Sequence, residues 1–355
     1  MTAHLWLRAE IKPGEKRRAL SLQNVQRLLD DGFRITVEKS EQSIFTNEDY
    51  AKLGVTMVDE NDWMNAPSEA YILGLKELPE DNAPLIHRHI FFAHAYKNQD
   101  GWKELLGRFQ RGNGKLYDLE FLVDENQKRI AAFGYWAGFA GAGVAALIWT
   151  HYKKHNSFKN FKLPPNYETA NHMVETVKKE LKDIRVNNLR ALVTGMRGRS
   201  GTGAKNFLDA TAFNVTGWDK DETSNGGPFA EILDYDVFVN CVLMMSKLPP
   251  FLDRTIVDNA DNFCVISDVS CDPTGPFNSL PIYDKASTME EPLEIINSKK
   301  NPIVMSAIDH LPSLLPKESS EDFSNQLFPY FSDLVQEKGV WQRAIELFNK
   351  KLAEI

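Results

Sequence analysis

Short runs rich in β-branched and aromatic residues alternate with helical patterns along almost the whole chain. No other feature constrains the fold as much. The first part carries HLWLRAE (4–10), RITVEK (34–39), VTMVD (55–59), YILGL (71–75) and HIFFAHAY (89–96). Between them lie ALSLQNVQRLLDDGF, with apolar residues three and four apart and Gly32 placed to end it, and FTNEDYAKLG, closed by Gly54. KLYDLEFL and RIAAFGY read as two further strands joined by a polar DENQKR turn. A second series begins at residue 189, with LRALVTG, NVTGWD, DVFVNCVLM, FCVISDVS and PIVMSAID as its strands. Strand and helix in strict alternation imply a parallel sheet covered by helices on both faces. The expected architecture is α/β: two doubly wound Rossmann-like domains with parallel sheets, separated by a cleft. The boundaries are read as 1–135 for a substrate and catalytic domain and 136–315 for a nucleotide domain. Residues 316–355 are helical by pattern and too few for a domain, so they are expected to return to the first one.

Composition excludes several classes. A net charge of −8 with no basic stripe argues against nucleic acid. Three cysteines, Cys241, Cys264 and Cys271, have no CxxC spacing, so they read as reduced thiols and not as staples or metal ligands. The run FGYWAGFAGAGVAALIWT (133–150) carries no charge, but its centre is glycine and alanine. It reads as a buried helix on which other backbones pack closely, and not as a membrane span. The N-terminus has no basic and apolar leader and KLAEI is no sorting address, which together predict a cytoplasmic protein.

Two constellations carry chemistry. ALVTGMRGRSGTGA sets Gly195, Gly198, Gly201 and Gly203 just past an apolar strand, with Arg199 between them. Such a turn brings backbone amides and a helix N-terminus to a pyrophosphate. NVTGWD then ends in Asp219, the place for a carboxylate that bonds the adenosine ribose and disfavours a 2′-phosphate. The pair points to NAD ahead of NADP; a glycine-rich loop without ligand is the plain alternative. In the first domain, YILGLK ends at Lys76 and HIFFAHAYK brings His94 and Lys97 to the end of the next run. Carboxyl ends of parallel strands line the ligand crevice, so Lys76 and His94 are candidate proton carriers. Glu77 beside them is placed to trim the pKa values of nearby cations. Arg8, Lys12, Lys16, Arg17 and Arg18, with Arg129 on RIAAFGY, suggest a substrate bearing carboxylates. Taken singly, each has a bland alternative: a solvated strand end, a core histidine, a surface ion pair.

The chain resembles the NAD-dependent, lysine-forming saccharopine dehydrogenases of the fungal type. The residues that carry this are LRAE-x-K-P-x-E-x-R (7–17), GLKELPE (74–80), FAHAYK (92–97), LYDLEFL (116–122), AAFGYWAGFAGA (131–142), GRSGTGA (198–204), WDKDETSNGGPF (218–229) and IDHLPSLLP (308–316). More distantly, the layout is similar to alanine dehydrogenases and transhydrogenase subunits. The resemblance implies an oxidoreductase of lysine biosynthesis acting on a secondary amine: saccharopine, NAD+ and water to L-lysine, 2-oxoglutarate and NADH. It makes Lys76 and His94 the acid–base pair, their division of labour open. It makes Arg17, Lys76, Arg129 and Phe133 substrate contacts, and Glu77 and Glu120 the carboxylates that tune the pair. Cofactor contacts by match are Gly198, Arg199, Ser200, Gly201, Asp219, Thr223, Val269, Ile308, Asp309, His310 and Leu311, with no metal. Two departures stand out: Ser200 where fungal members carry cysteine, and VLMMSKLPPF (242–251) where they carry a tyrosine near the cofactor. The alternatives are a related opine or alanine dehydrogenase, or a non-catalytic NAD-binding module. Small-molecule substrates are the expected partners, in a monomer or dimer, with no nucleic acid and no membrane.

Overall fold

The computed structural model describes residues 3–96, 100–184, 186, 188–244, 246–297 and 299–355. The chain forms two compact units, one of residues 1–132 with 316–355, the other of residues 133–315.

The first unit runs β1 (His4–Leu7), α1 (Leu22–Asp30), β2 (Arg34–Glu38), α2 (Asn47–Lys52), β3 (Thr56–Val58), β4 (Tyr71–Leu73), β5 (Arg88–Phe91), α3 (Trp102–Gly112) and β6 (Lys115–Asp118). Its six strands lie in the order β3-β2-β1-β4-β5-β6, every pair parallel. Local chemistry explains the helix limits. The Ser21 hydroxyl accepts from Asn24 N–H at the start of α1, and Gly32 at φ +87° follows its end. Thr46 and Asp49 form a reciprocal cap on α2, and Gly54 at φ +79° follows it.

The second unit runs α4 (Gly134–His155), α5 (Ala170–Lys182), β7 (Arg190–Thr194), α6 (Arg199–Ala210), β8 (Asn214–Trp218), α7 (Lys220–Thr223), β9 (Val237–Asn240), α8 (Arg254–Asn259), β10 (Cys264–Asp268), β11 (Glu294–Asn297) and β12 (Ile303–Ser306). The sheet order is β11-β12-β10-β9-β7-β8. All of its pairs are parallel except β11 with β12. This is the expected doubly wound α/β architecture, with one antiparallel edge strand that sequence reading missed. The uncharged run becomes α4, buried from Gly138 to Thr150 in the core of this unit. A Cβ on Gly138 would stand 1.7 Å from the Ser200 carbonyl oxygen, and one on Gly203 1.9 Å from that of Tyr135. Helices α4 and α6 therefore cross with their backbones touching. Among the described residues no helix is long and apolar enough to cross a membrane.

Residues 316–355 add α9 (Pro316–Leu327) and α10 (Val340–Leu352) to the first unit. Ser320 and Ser324 hydroxyls accept the N–H groups of Arg18 and Ser21, and Trp341 packs edge-on against Tyr117 at 5.7 Å.

Several strand expectations need correction; KLYDLEFL, for one, pairs only to Asp118 and turns into a 3₁₀ helix over Leu119–Phe121. HIFFAHAY pairs only to Phe91, because the Asp118 carboxylate accepts the N–H groups of Ala93 and Ala95. YILGL pairs as a strand only to Leu73; past it the Glu10 carboxylate accepts from Leu75 and Lys76. RIAAFGY is not a strand. Arg129 makes one isolated bridge to Val123, and the Gln326 side-chain amide of α9 satisfies both the N–H and the carbonyl of Ala132.

Candidate active site

Strand order decides which loops meet. In the first unit it reverses between β1 and β4, and in doubly wound sheets ligands bind beyond the strand ends at such a switch point. The loop after β1 holds Arg8, Glu10, Glu15 and Arg17; the loop after β4 holds Lys76. Glu10 fixes the Lys76 backbone from one side, its Oε2 accepting the Lys76 N–H at 2.9 Å. The Arg8 guanidinium donates to the Lys76 carbonyl from the other. Arg8 is thus a scaffold residue, 1% exposed, and not a free cation for substrate.

The Lys76 side chain then lies 3.9 Å from Glu15 Oε2, and Glu15 grips Arg17 in a fork of 2.8 and 2.6 Å. Burial lowers the Lys76 pKa, and the Arg17 guanidinium and Lys12 push the same way. Glu15 and, more weakly, Glu77 oppose them. Burial alone would raise the Glu15 carboxyl, but the bonds and charge of Arg17 and the Lys76 ammonium hold it below the usual range. The result is an amine whose proton is loosened, with a carboxylate beside it that stays charged. Glu15 was within a motif but given no role; its spacing to Arg17 is too short to suggest that the two would fork.

His94 stands three residues past the end of β5, in a left-handed backbone conformation at φ +51°. A non-glycine residue there costs about 1 kcal/mol and needs surrounding bonds to hold it. Its ring stacks on Phe92 at 6.3 Å and 23°. His94 and Glu77 line one cavity of about 660 Å³ with Trp102 and Arg108. Lys97 lies outside the described residues. Past β6, Glu120 pairs with Arg129 at 2.7 Å, and Arg129 remains 38% exposed at its side chain. Arg18, grouped with the cations for a carboxylate-bearing substrate, is 2% exposed: it donates to the Glu38 carbonyl and lies 5.5 Å from the Tyr50 ring. Phe133 caps the start of α4 in the second unit.

In the second unit the order reverses between β7 and β9, and the glycine turn follows β7. Gly195 sits at φ +68°, and a Cβ on Gly201 would stand 2.1 Å from the Gly195 carbonyl oxygen. Helix α6 starts at Arg199 with Gly198 as its cap, a residue that offers no side-chain acceptor to the helix amides. Asp219 follows β8; its Oδ1 accepts Arg197 N–H at 3.2 Å, and its side chain is 16% exposed. A tight amide-lined turn, a helix start and a carboxylate at the next strand end are a donor and acceptor set that fits a dinucleotide.

The remaining expected contacts divide. Ser200 lies in the first turn of α6, and a Cβ on Gly134 would be 3.3 Å from its Oγ. Val269, Ile308 and Leu311 spend their side chains on the core, Val269 and Leu311 against Gly141 of α4, and the Val269 N–H donates to the Asn240 carbonyl at 2.9 Å. The Thr223 hydroxyl donates to the Asp219 carbonyl at 2.7 Å. Asp309 is exposed, and His310 begins a 3₁₀ turn over Leu311–Leu314. Sequence reading missed Asn240, which ties three strand ends together. Its amide donates to Asp268 and Ser279, each at 3.0 Å, and its oxygen accepts from Thr194 at 2.8 Å. The three cysteines are free thiols, and burial pushes Cys271 up to about 12. Among the described residues no cluster of acids, histidines and cysteines is set to hold a metal.

Comparisons with known proteins agree with this layout. The model of the alanine dehydrogenase/PNT N-terminal domain matches residues 6–140, and that of the C-terminal domain residues 170–353. A saccharopine dehydrogenase [NAD(+), L-lysine-forming] of Schizosaccharomyces pombe is 45% identical over 99% of both chains. The protein of that name in Yarrowia lipolytica is 42% identical over 99% of this chain and 98% of its own. Among solved structures, an L-alanine dehydrogenase superposes with a TM-score of 0.63 at 14% identity, over 99% of this chain and 93% of that one, a likeness of fold alone. With identity this high over nearly its whole length, the chain belongs to the family of the NAD(+)-dependent, L-lysine-forming saccharopine dehydrogenases.

Proposed function

We propose that the chain catalyses the reversible oxidation of saccharopine at its secondary amine, giving L-lysine and 2-oxoglutarate with NAD as cofactor. When bound, NAD+ accepts a hydride from the glutamyl α-carbon. The chain's own residues bind, orient and move protons. The turn from Gly195 to Ser200 holds the pyrophosphate on backbone amides, and Asp219 takes the adenosine ribose hydroxyls. Ile308, Asp309, His310 and Leu311, with Val269, border the same nucleotide site, and Thr223 supports Asp219.

Lys76 and His94 exchange protons with the substrate nitrogen and with the water that hydrolyses the imine. Arg129 offers its guanidinium to a substrate carboxylate, and Phe133 serves as an apolar substrate contact. Arg17, locked to Glu15, acts on substrate charge and on the Lys76 pKa together. Glu77 and Glu120 balance the cations. The observation that carries this reading is Lys76 itself: backbone clamped by Glu10 and Arg8, amine partly desolvated between Arg17 and Glu15. The chemistry needs small molecules and no metal, nucleic acid or membrane, and it belongs to lysine biosynthesis in the cytoplasm.

Lys76→Met and His94→Gln, assayed for kcat across pH, test it. Each variant should lose about 10²- to 10⁴-fold in kcat, as expected for a lost general acid or base, and one limb of the pH profile should flatten. Wild-type kcat in both variants would remove the assignment.

A further inference from the structure

We propose that Asp118 is a positioning residue for this reaction: its buried carboxylate, by accepting main-chain N–H groups on either side of His94 and at Glu120, sets the imidazole and that carboxylate in place. The proposal rests on the acid–base reading of His94 given above. Asp118 ends β6, is 1% exposed, and neighbours the end of β5 in register with Phe91. Its Oδ1 accepts from Ala93 at 3.2 Å and from Glu120 at 3.0 Å; its Oδ2 accepts from Ala95 at 3.3 Å. Those amides bracket the left-handed His94 and adjoin the Glu120–Arg129 pair.

A strand end needs no buried carboxylate: an apolar residue would avoid burying a charge, and only the three N–H groups that Asp118 accepts would lose by the change. Nor does the tether add to the sheet: it takes Ala93 and Ala95 out of the ladder and turns the chain so that His94 leaves the strand direction. Burial holds the Asp118 carboxyl up at about 6, against the downward pull of the three N–H donors and the nearby imidazole. The protein thus keeps a group that burial disfavours, at the one place where it shapes the loop of a proton carrier.

Asp118→Asn preserves shape but turns an amide NH2 towards the Ala95 N–H, or loses two acceptances if it flips. It should lower kcat by about 10- to 100-fold, the scale of a misplaced catalytic group, with the KM for NAD changed less than about 2-fold. In the His94→Gln background the same substitution should cost less than about 3-fold, because the residue it positions is gone. Equal losses in both backgrounds, or no loss in the parent, overturn the proposal. Wild-type kcat in His94→Gln alone overturns instead the reading beneath it. Amide hydrogen exchange on the full chain is the second measurement, independent of activity and of whether any variant folds. The N–H groups of Ala93 and Ala95 should be protected, and exchange at unprotected rates would end the tether.

Discussion

A lysine proposed to give and take protons cannot keep the proton affinity it has in water, and it cannot lose that affinity without limit. Around Lys76 the two pressures are separately assigned. Burial, Arg17 and Lys12 lower its pKa; Glu15 and Glu77 raise it, Glu15 the more. The sign of a substitution follows. Glu15→Gln removes a group that raises Lys76 and releases Arg17 from its fork, so the limb of the pH–rate profile that reports Lys76 should move to lower pH. Glu77→Gln should move it the same way and less. A shift to higher pH in Glu15→Gln, read from kcat/KM against pH, would contradict this electrostatic account. Sequence pattern could locate Lys76 and His94 near strand ends because strand ends follow from apolar runs. It could not find Glu10, Glu15 or Asp118, whose roles come from carboxylate oxygens meeting main-chain amides or a guanidinium across loops.

Elements with strong periodicity or plain end signals were legible. Helices α1 and α2 lie where apolar spacing and the glycines at 32 and 54 place them, and the long strands of both sheets fall inside the expected runs. The misreadings have a common cause. RIAAFGY, the tail of HIFFAHAY and the missed β11 depend on which amides find a partner elsewhere, and no local pattern records that. Strand order was equally invisible, yet it alone puts the Arg17 loop beside the Lys76 loop. The glycine spacing has a second meaning beyond the nucleotide turn. Gly203 belongs to the crossing of α6 with α4, where a methyl group would stand 1.9 Å from the Tyr135 carbonyl oxygen. Gly203→Ala should therefore destabilise the second unit by about 1–3 kcal/mol through overpacking. Thermal unfolding should show a midpoint lower by several degrees; an unchanged midpoint would mean that the crossing relaxes freely.

For the molecule as a whole, the proposed function draws on both units, with its proton carriers in the first and its nucleotide turn in the second. Asp219 tests the second part. Asp219→Ala should raise the KM for NAD by about 10-fold or more, the loss of a charged hydrogen bond, and should weaken discrimination against NADP. A KM for NAD left unchanged would take Asp219 out of the cofactor site.

The central claim is that the substrate nitrogen is a secondary amine made from lysine. The direct measurement is the initial rate of NADH oxidation by the purified chain with 2-oxoglutarate and one amine at a time. Turnover with lysine and none with ammonia is the predicted result; turnover with pyruvate and ammonia alone would contradict the account.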